Sequence, residues 1–455
     1  MEDQMVIRNV LAYCQLAELF NVKSLAETTF SCVERCFTMV AELDDFYELN
    51  IGLVKKVLGS SRLNLTSEAE VFNAADSWLS FKVKERSKFA KTLLSKIRLC
   101  LLSDHAIKHV LYNSTSFSKN DECLAFLKDK DNIIRHETKV KCINRYCSQN
   151  KYNILVCGGE FTLTDPVSRK CIGKVVTSEV NQVDGSNFKR VKVLQPMIEN
   201  IEYFQVVCLK GEAYIFSGYN KDVHKTSFDK YSPSTDSWSR VGVMCDNRRV
   251  FCVCAFMNKI FVIGGIYDDG IETNSCAVFD VTEKNWKKVA GINEARKLAA
   301  CVVFQEKVVV AGGKFDDGVA EDIADEDVNL LNTVESYDYV ADEWTFMPNM
   351  VSSKGGRHSL VVAQNKLFSI GSLTSFEVFD NTCKQFVTLN LPEKFGGFFW
   401  FNKAVSFGNK IYVLHGPGGV ITCFDANKNE WSDTEEPFEV TQRITSFSSI
   451  VIPSY

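Results

Sequence analysis

Two periodicities divide this chain. Over its first third, apolar residues recur at helical spacing, and from Tyr152 onward they fall in short runs bounded by glycine and asparagine. In VIRNVLAYCQLAELF, residues Ile7, Val10, Leu11, Cys14 and Ala17 share one helical face, and Leu16, Leu19 and Phe20 widen the apolar surface towards its end. A second helix is predicted through VKSLAETTFSCVERCFTMVAEL, with Leu25, Phe30, Val33, Phe37 and Val40 turned inward. Two more are predicted at LNIGLVKKVLGS and SEAEVFNAADSWLSFKVKER, the latter with the inward stripe Val71, Ala74, Ala75, Trp78 and Leu79. It opens on Ser67-x-x-Glu70, a spacing that lets a hydroxyl and a carboxylate satisfy the free N–H groups of a first helical turn. Further helical patterns cover KFAKTLLSKIRL, SDHAIKHVLYN and ECLAFLKDK. Short helices with short connections predict a packed all-α array over residues 1–130. The polar stretch at residues 131–150 predicts a linker.

Beyond the linker the sequence repeats itself. Five times an aromatic residue is followed seven positions later by tryptophan or its stand-in: Tyr231/Trp238, Phe279/Trp286, Tyr337/Trp344, Phe379/Phe386 and Phe424/Trp431. Ahead of each pair an apolar run ends in glycine, at Gly218, Gly265, Gly313, Gly371 and Gly416, and a sixth run, YNILVCGG, ends at Gly159. Self-similarity of this kind is the mark of a repeat architecture. Each unit is predicted to be a four-stranded antiparallel sheet, with Asp and Asn in the turn between the aromatic and the Trp. Glycine at the strand end permits positive φ or close backbone approach. The aromatic and the Trp supply apolar area for stacking one sheet on the next. Sheets with two apolar faces must close radially, so residues 151–455 are predicted to form an all-β, six-bladed propeller. The terminal run ITSFSSIVIP would complete the first sheet, whose segment GKVVTSEVNQVDGSNFKRVKVL has no aromatic–Trp pair.

Composition changes this picture little. The 455 residues are 45% hydrophobic and 24% charged, with 8 prolines, as expected of a folded protein. A formal net charge of -5 argues against general nucleic-acid binding. The 17 cysteines are scattered, without a C-x-x-C pair, and neither Cys32/Cys36 nor Cys142/Cys147 has partners to complete a zinc site. Free thiols in a reducing compartment are expected. The start MEDQMVIRNV carries no signal-peptide pattern and no apolar stretch approaches spanning length. The expected location is cytoplasmic, with the nucleus and cytoskeleton open, and no membrane partner is expected.

The glycine pairs, aromatics and tryptophans at these spacings resemble kelch repeats. The helical segment resembles the BACK domain of kelch-like (BTB–BACK–kelch) proteins, through residues 63–81 (LNLTSEAEVFNAADSWLSF) and 96–103 (KIRLCLLS), with Cys100 where the family usually has proline. No BTB-like segment is read ahead of the first helix. The resemblance implies a non-enzymatic interaction adaptor: the substrate-recognition subunit of a cullin-3 type ubiquitin ligase, holding target proteins on the propeller face. Residues 6–40 would correspond to the family's 3-box, with Val10, Cys14, Ala17 and Phe20 as the cullin-contact region. The alternative it implies is an actin- or cytoskeleton-binding scaffold.

Kelch propellers that bind peptide signals often carry arginines just before the innermost strand. The matching positions are Arg248, Arg249, Arg296 and Arg357. On successive blades they could pair with acidic peptides, or they could satisfy loop carbonyls and adjoining carboxylates; the sequence leaves both open. The loop after Gly313 is rich in acid (Asp316, Asp317, Glu321, Asp322, Asp325, Glu326, Asp327), but its spacing is not that of an EF-hand. His105 and His109 are four apart without the glutamate of a metalloprotease helix, and His224, His358 and His415 are linked to no nucleophile signature. No catalytic residue, cofactor or metal is expected.

Overall fold

The computed structural model describes residues 7–63, 65, 68–99, 102, 107, 114, 116–128, 152–164, 171–184, 190–198, 204–216, 227–233, 235–267, 269–314, 329–354, 358–371, 376–391, 403–407, 409–415, 420–433 and 452–453. The chain divides into two compact units, residues 1–150 and 151–454. The stretch 131–150, the histidine pair His105/His109, Ser67, the acidic loop after Gly313 and the glycines Gly218 and Gly416 lie outside the described residues.

In the first unit the periodicity yields helices α1 (Val10–Leu19), α2 (Lys23–Arg35), α3 (Phe37–Val40), α4 (Asp44–Tyr47), α5 (Ile51–Gly59) and α6 (Glu68–Phe81). The predicted second helix is interrupted: it breaks at Cys36, whose φ of -107° and ψ of 23° leave the helical region, while both halves pack into the same core. Asn50 starts α5 by accepting the Leu53 N–H at 2.9 Å, which satisfies one orphan donor of the first turn. Trp78 of α6 is the largest core side chain of this unit. Its indole N–H is not stranded, because it donates to the Leu49 carbonyl at 2.9 Å. Arg86 lies 4.0 Å from the Trp78 ring and donates to the Trp78 carbonyl at 2.8 Å.

The second unit is all β. Five four-stranded antiparallel sheets follow one plan. Blade A comprises Gln205–Leu209, Glu212–Phe216, Ser227–Ser232 and Ser237–Val243. Blade B comprises Cys252–Phe256, Lys259–Ile263, Cys276–Asp280 and Asn285–Val289. Blade C comprises Ala300–Phe304, Lys307–Ala311, Val334–Asp338 and Glu343–Met347. Blade D comprises Ser359–Ala363, Lys366–Ile370, Phe376–Asp380 and Gln385–Leu389. Blade E comprises Lys403–Phe407, Lys410–His415, Val420–Asp425 and Glu430–Asp433. The first strands stand side by side in chain order from A to E.

The seven-residue spacing has a direct cause. The two aromatics of each pair are cross-strand partners in the third and fourth strands, with ring centroids 5.0 Å apart for Tyr231/Trp238 and 5.2 Å for Phe279/Trp286. In blades B to E the turn between them opens on an aspartate just after the aromatic, where blade A has Ser232. Asp280 accepts the N–H groups of Thr282 and Glu283, and Asp425 those of Asn427 and Lys428. A residue with positive φ then returns the chain: Asp236, Lys284, Asp342, Lys384 or Asn429.

The tryptophans also tie each blade to the one before. Trp238 donates to the carbonyl of Gln195, Trp286 to that of Val243 and Trp344 to that of Ala290, at 2.8, 3.1 and 2.9 Å. In blade C a second tie runs beside it: Asp342 accepts from Ala290 N–H at 2.8 Å and from the Tyr337 hydroxyl at 2.6 Å. Those two bonds hold the Asp342 carboxyl below its usual range. Blade D, with Phe386, packs the ring without a donor.

In blade E the ring contacts of Trp431 follow the same plan. It keeps the cross-strand pairing, with its ring centroid 5.1 Å from that of Phe424. It meets Phe376 of blade D edge-on at 5.1 Å, as Trp286 meets Phe228 of blade A at 5.6 Å. Trp344→Phe is therefore expected to keep the packing but strand the Ala290 carbonyl, lowering stability by about 1–2 kcal/mol in urea denaturation at unchanged slope.

The six-bladed expectation needs correction: five blades, not six, carry the repeat plan. The remaining sheet pairs Tyr152–Thr164, Cys171–Asp184 and Arg190–Leu194 with Ile452–Pro453, which meets the first of them at Tyr152↔Pro453 and Asn153↔Ile452. Its two long strands have 13 and 14 residues, against five in most blade strands, and shift register between Cys157/Gly159 and Leu163/Thr164. Without an aromatic–Trp hairpin to set the turn, the pairing runs on past the length of a blade, carrying Gly159 inside the strand.

Candidate functional site

The ends of the second strands (Ile263, Ala311, Ile370) pair with the starts of the first strands (Cys252, Ala300, Ser359). The connections from second to third strand and those leading into each first strand therefore share one rim of the propeller. Gly265 N–H donates to the Arg296 carbonyl and Gly313 N–H to the Lys354 carbonyl, so in blades B and C this glycine is locked to the segment leading into the next blade.

Arg248 and Arg296 do not face out from this rim. Both are 1% exposed. The Arg296 guanidinium donates to Glu335 at 2.6 Å and to the Gly312 and Thr333 carbonyls at 3.0 and 3.2 Å. Arg248 makes the same contacts one blade earlier, with the Gly264 and Ser275 carbonyls, and pairs with Asp246 at 3.0 Å. A guanidinium has five donors, and here they are spent on strand-end carbonyls the sheets leave unpaired. The basic ring expected for acidic peptides is corrected accordingly: these two arginines pin the segment leading into a blade to the carbonyls of that same blade. Arg249 is half-buried, in a two-residue pairing with Ile266, and Arg357 lies outside the described residues.

The blade-D counterpart of Arg296 is Lys354, which the repeat spacing conceals behind a one-residue shift. Its ammonium is buried between Glu377 at 3.0 Å and the Ser369 hydroxyl at 2.8 Å. Burial drives its pKa down to about 8 despite the carboxylate, because desolvation outweighs the ion pair. Glu377 also accepts the N–H groups of Val351 and Ser352, at 2.8 and 3.1 Å. Glu335 does the same for Asn293 and Glu294, at 2.7 and 3.2 Å. Both glutamates are fully buried and stand two residues before the repeat aromatic. The position was legible in the sequence, where it reads Asp229, Ala277, Glu335, Glu377 and Thr422.

What the rim does expose is a hairpin after Gly265, turning at Gly270, where Ile271 is 63% exposed, and Val351 at 61%. Neither was singled out by sequence reasoning, since a lone apolar residue in a loop has no signature. Among the described residues no group of His, Cys, Asp and Glu has the arrangement to hold a metal ion. His358 is buried against Gly312, and His415 ends a blade-E strand.

In the helical unit, Val10, Cys14 and Ala17 are buried in the core and cannot meet a partner, which corrects their assignment as contact residues. Burial also raises the Cys14 thiol pKa. Phe20 is 69% exposed, and with Leu16, Leu19 and Val22 it forms the apolar outer face around the end of α1. The face of α1 chosen from periodicity is the one that closes the core, and the residues widening the stripe are those left outside.

Two family models match these units: BACK, BTB And C-terminal Kelch, over residues 10–112, and the KLHDC2/KLHL20/DRC7 Kelch-repeats domain, over residues 203–416. The chain is 29% identical to Kelch-like protein 7 of Rattus norvegicus over 429 residues, covering 92% of this chain and 69% of that protein. It is 24% identical to Kelch-like protein 28 of Mus musculus over 292 residues, or 59% of this chain and 47% of that protein. With Kelch repeat and BTB domain-containing protein 3 of Homo sapiens the identity is 28% over 121 residues, 27% of this chain and 20% of that protein. A BACK domain and kelch repeats are thus both present, and the chain's relatives are kelch-like proteins. The matches span about half of Kelch-like protein 28 and about two thirds of Kelch-like protein 7. Among the described residues no helix is long and apolar enough to cross a membrane.

Proposed function

We propose that this chain is a non-enzymatic adaptor that holds a target protein on the propeller rim and presents it to a cullin-3 type ubiquitin ligase. In this reading residues 1–130 are the helical adaptor domain, 131–150 a linker and 151–455 the propeller. The chain transfers nothing itself; it raises the effective concentration of target beside the ligase. The observation that carries the ligase side is the exposed apolar group Leu16, Leu19, Phe20 and Val22, on a helix whose other face is committed to the core. Four such side chains clustered at one helix end are the makings of an interface centre rather than scattered surface residues. On the target side, the exposed Ile271 and Val351 sit where the rim connections are held rigidly by backbone bonds.

The test is co-purification of cullin-3 with the full chain, compared with the double variant Leu19→Asp/Phe20→Asp. Both substitutions are at exposed positions, so folding should be preserved while cullin recovery falls at least tenfold. Failure to recover any cullin with the parent chain, while propeller partners are still captured, would overturn the ligase reading. Pelleting with filamentous actin under those conditions would favour the cytoskeletal scaffold instead.

A further inference from the structure

Three cysteines share the core between the first strands of blades B and C. Cys252 and Cys254 alternate with Val253 along the blade-B strand, so both point towards blade C, into a core cluster that they share with Cys276 and Cys301. Cys301, in the blade-C strand, alternates with Ala300 and Val302, which pack towards blade D, and so turns back onto that same cluster. The approach is held by backbone: Leu298 N–H donates to the Val250 carbonyl at 3.1 Å, just ahead of both strands, and both residues have positive φ. All these cysteines are free thiols. The Cys252 thiol is engaged elsewhere, donating to the Ile263 carbonyl of its own sheet at 3.7 Å, which leaves Cys254 the better placed of the two to meet Cys301.

We propose that Cys254 and Cys301 form a reversible disulfide under peroxide, stapling the first strands of blades B and C together. Cys301 is the point of attack, since it is partly exposed whereas Cys252 and Cys254 are buried. Its sulfur takes one oxygen of hydrogen peroxide; the O–O bond breaks and the departing hydroxide leaves as water with the thiol proton, giving a sulfenic acid. The Cys254 sulfur then attacks the Cys301 sulfur. The S–S bond forms, the S–O bond breaks, and hydroxide leaves with the Cys254 proton as a second water. Two thiols are oxidised, one peroxide is reduced to two waters, and a dithiol reverses the bond by exchange. Burial raises the Cys301 pKa and keeps the thiol protonated, so the reaction is slow and answers to sustained rather than brief oxidation.

The test treats the full chain with hydrogen peroxide, caps remaining thiols and maps the digest by mass spectrometry without reduction. Exposed Cys245 and Cys383 report the oxidant dose. The expected product is a peptide pair joining Cys301 to the strand holding Cys254, lighter by two hydrogens, lost on adding dithiothreitol and reduced at least fivefold in Cys254→Ala. Recovery of Cys301 wholly as a free thiol or a sulfinic acid, at a dose that has oxidised Cys245 and Cys383, would overturn the proposal. A cross-link persisting at the parent level in Cys254→Ala would overturn the choice of Cys254. The parent chain's digest decides the first question even where a variant fails to fold.

Discussion

Replacing Glu377 by alanine is expected to cost about 3–5 kcal/mol of stability, because it leaves the Lys354 ammonium buried and unpaired. The same carboxylate also holds the Val351 and Ser352 N–H groups and the Ser352 hydroxyl, so its loss removes the acceptor of three further donors. The isosteric double variant Lys354→Met/Glu377→Gln is expected to recover most of that loss. It removes the charge that needs a partner and keeps an acceptor for the N–H groups. Chemical denaturation of the two variants and the parent chain checks both statements. A Glu377→Ala cost below about 1 kcal/mol would mean that the pair does not hold the segment leading into blade D.

The same pair predicts a dependence on pH, with a definite sign. Lys354 titrates at about 8 in the folded chain, against 10.5 when free. Between those values the unfolded state binds more protons, so stability rises with pH across that window. Below pH 8 the penalty for burying the ammonium is fully present. Measured as the difference between the parent chain and Lys354→Met, which has no such group, the rise should approach about 3 kcal/mol by pH 10.5. A flat difference would place the ammonium in contact with water.

Gly265→Ala is the second substitution expected to have a large effect, on the order of 3 kcal/mol. Its φ is +104°, and a Cβ there would lie 2.6 Å from the Arg249 carbonyl oxygen and 3.1 Å from the Phe251 Cβ. The residue cannot relax away, because its N–H is bonded to Arg296 and its carbonyl to Thr273. Gly270, at the hairpin turn, separates the two causes. Its φ is +83° but nothing lies within 4 Å of its Cβ position. Gly270→Ala should therefore cost only about 1 kcal/mol, the backbone strain without the clash. Equal effects at the two positions would contradict the claim that close packing of the rim is what requires glycine at Gly265.

The aromatic–Trp spacing was legible because it is local: a hairpin with an aspartate turn and one left-handed residue places positions seven apart opposite each other, whatever surrounds them. The buried stripe of α1 was legible for the same reason, through Val10, Leu11, Cys14 and Ala17. The direction of Arg248 and Arg296 was not. Whether such a guanidinium reaches solvent or the carbonyls of a neighbouring sheet depends on where the next blade's strand ends lie, and residues such as Thr333 stand 37 positions away in the chain. Lys354 was missed because one extra residue in its loop breaks the count that sequence alignment of the repeats relies on, while backbone bonding restores it.

By itself, the sequence determined the helical and β halves of this protein, the hairpin at the heart of each blade and, in blades B and C, the glycine that ends the second strand. These follow from periodicity and from backbone preferences that act over a few residues. Only the tertiary structure decided which basic residues are struts and which remain at the surface, that five blades rather than six keep the plan, and that Phe20 and its neighbours, not Val10, are free to meet a partner. Burial and charge pairing are settled between segments far apart in the chain, and no local pattern records them.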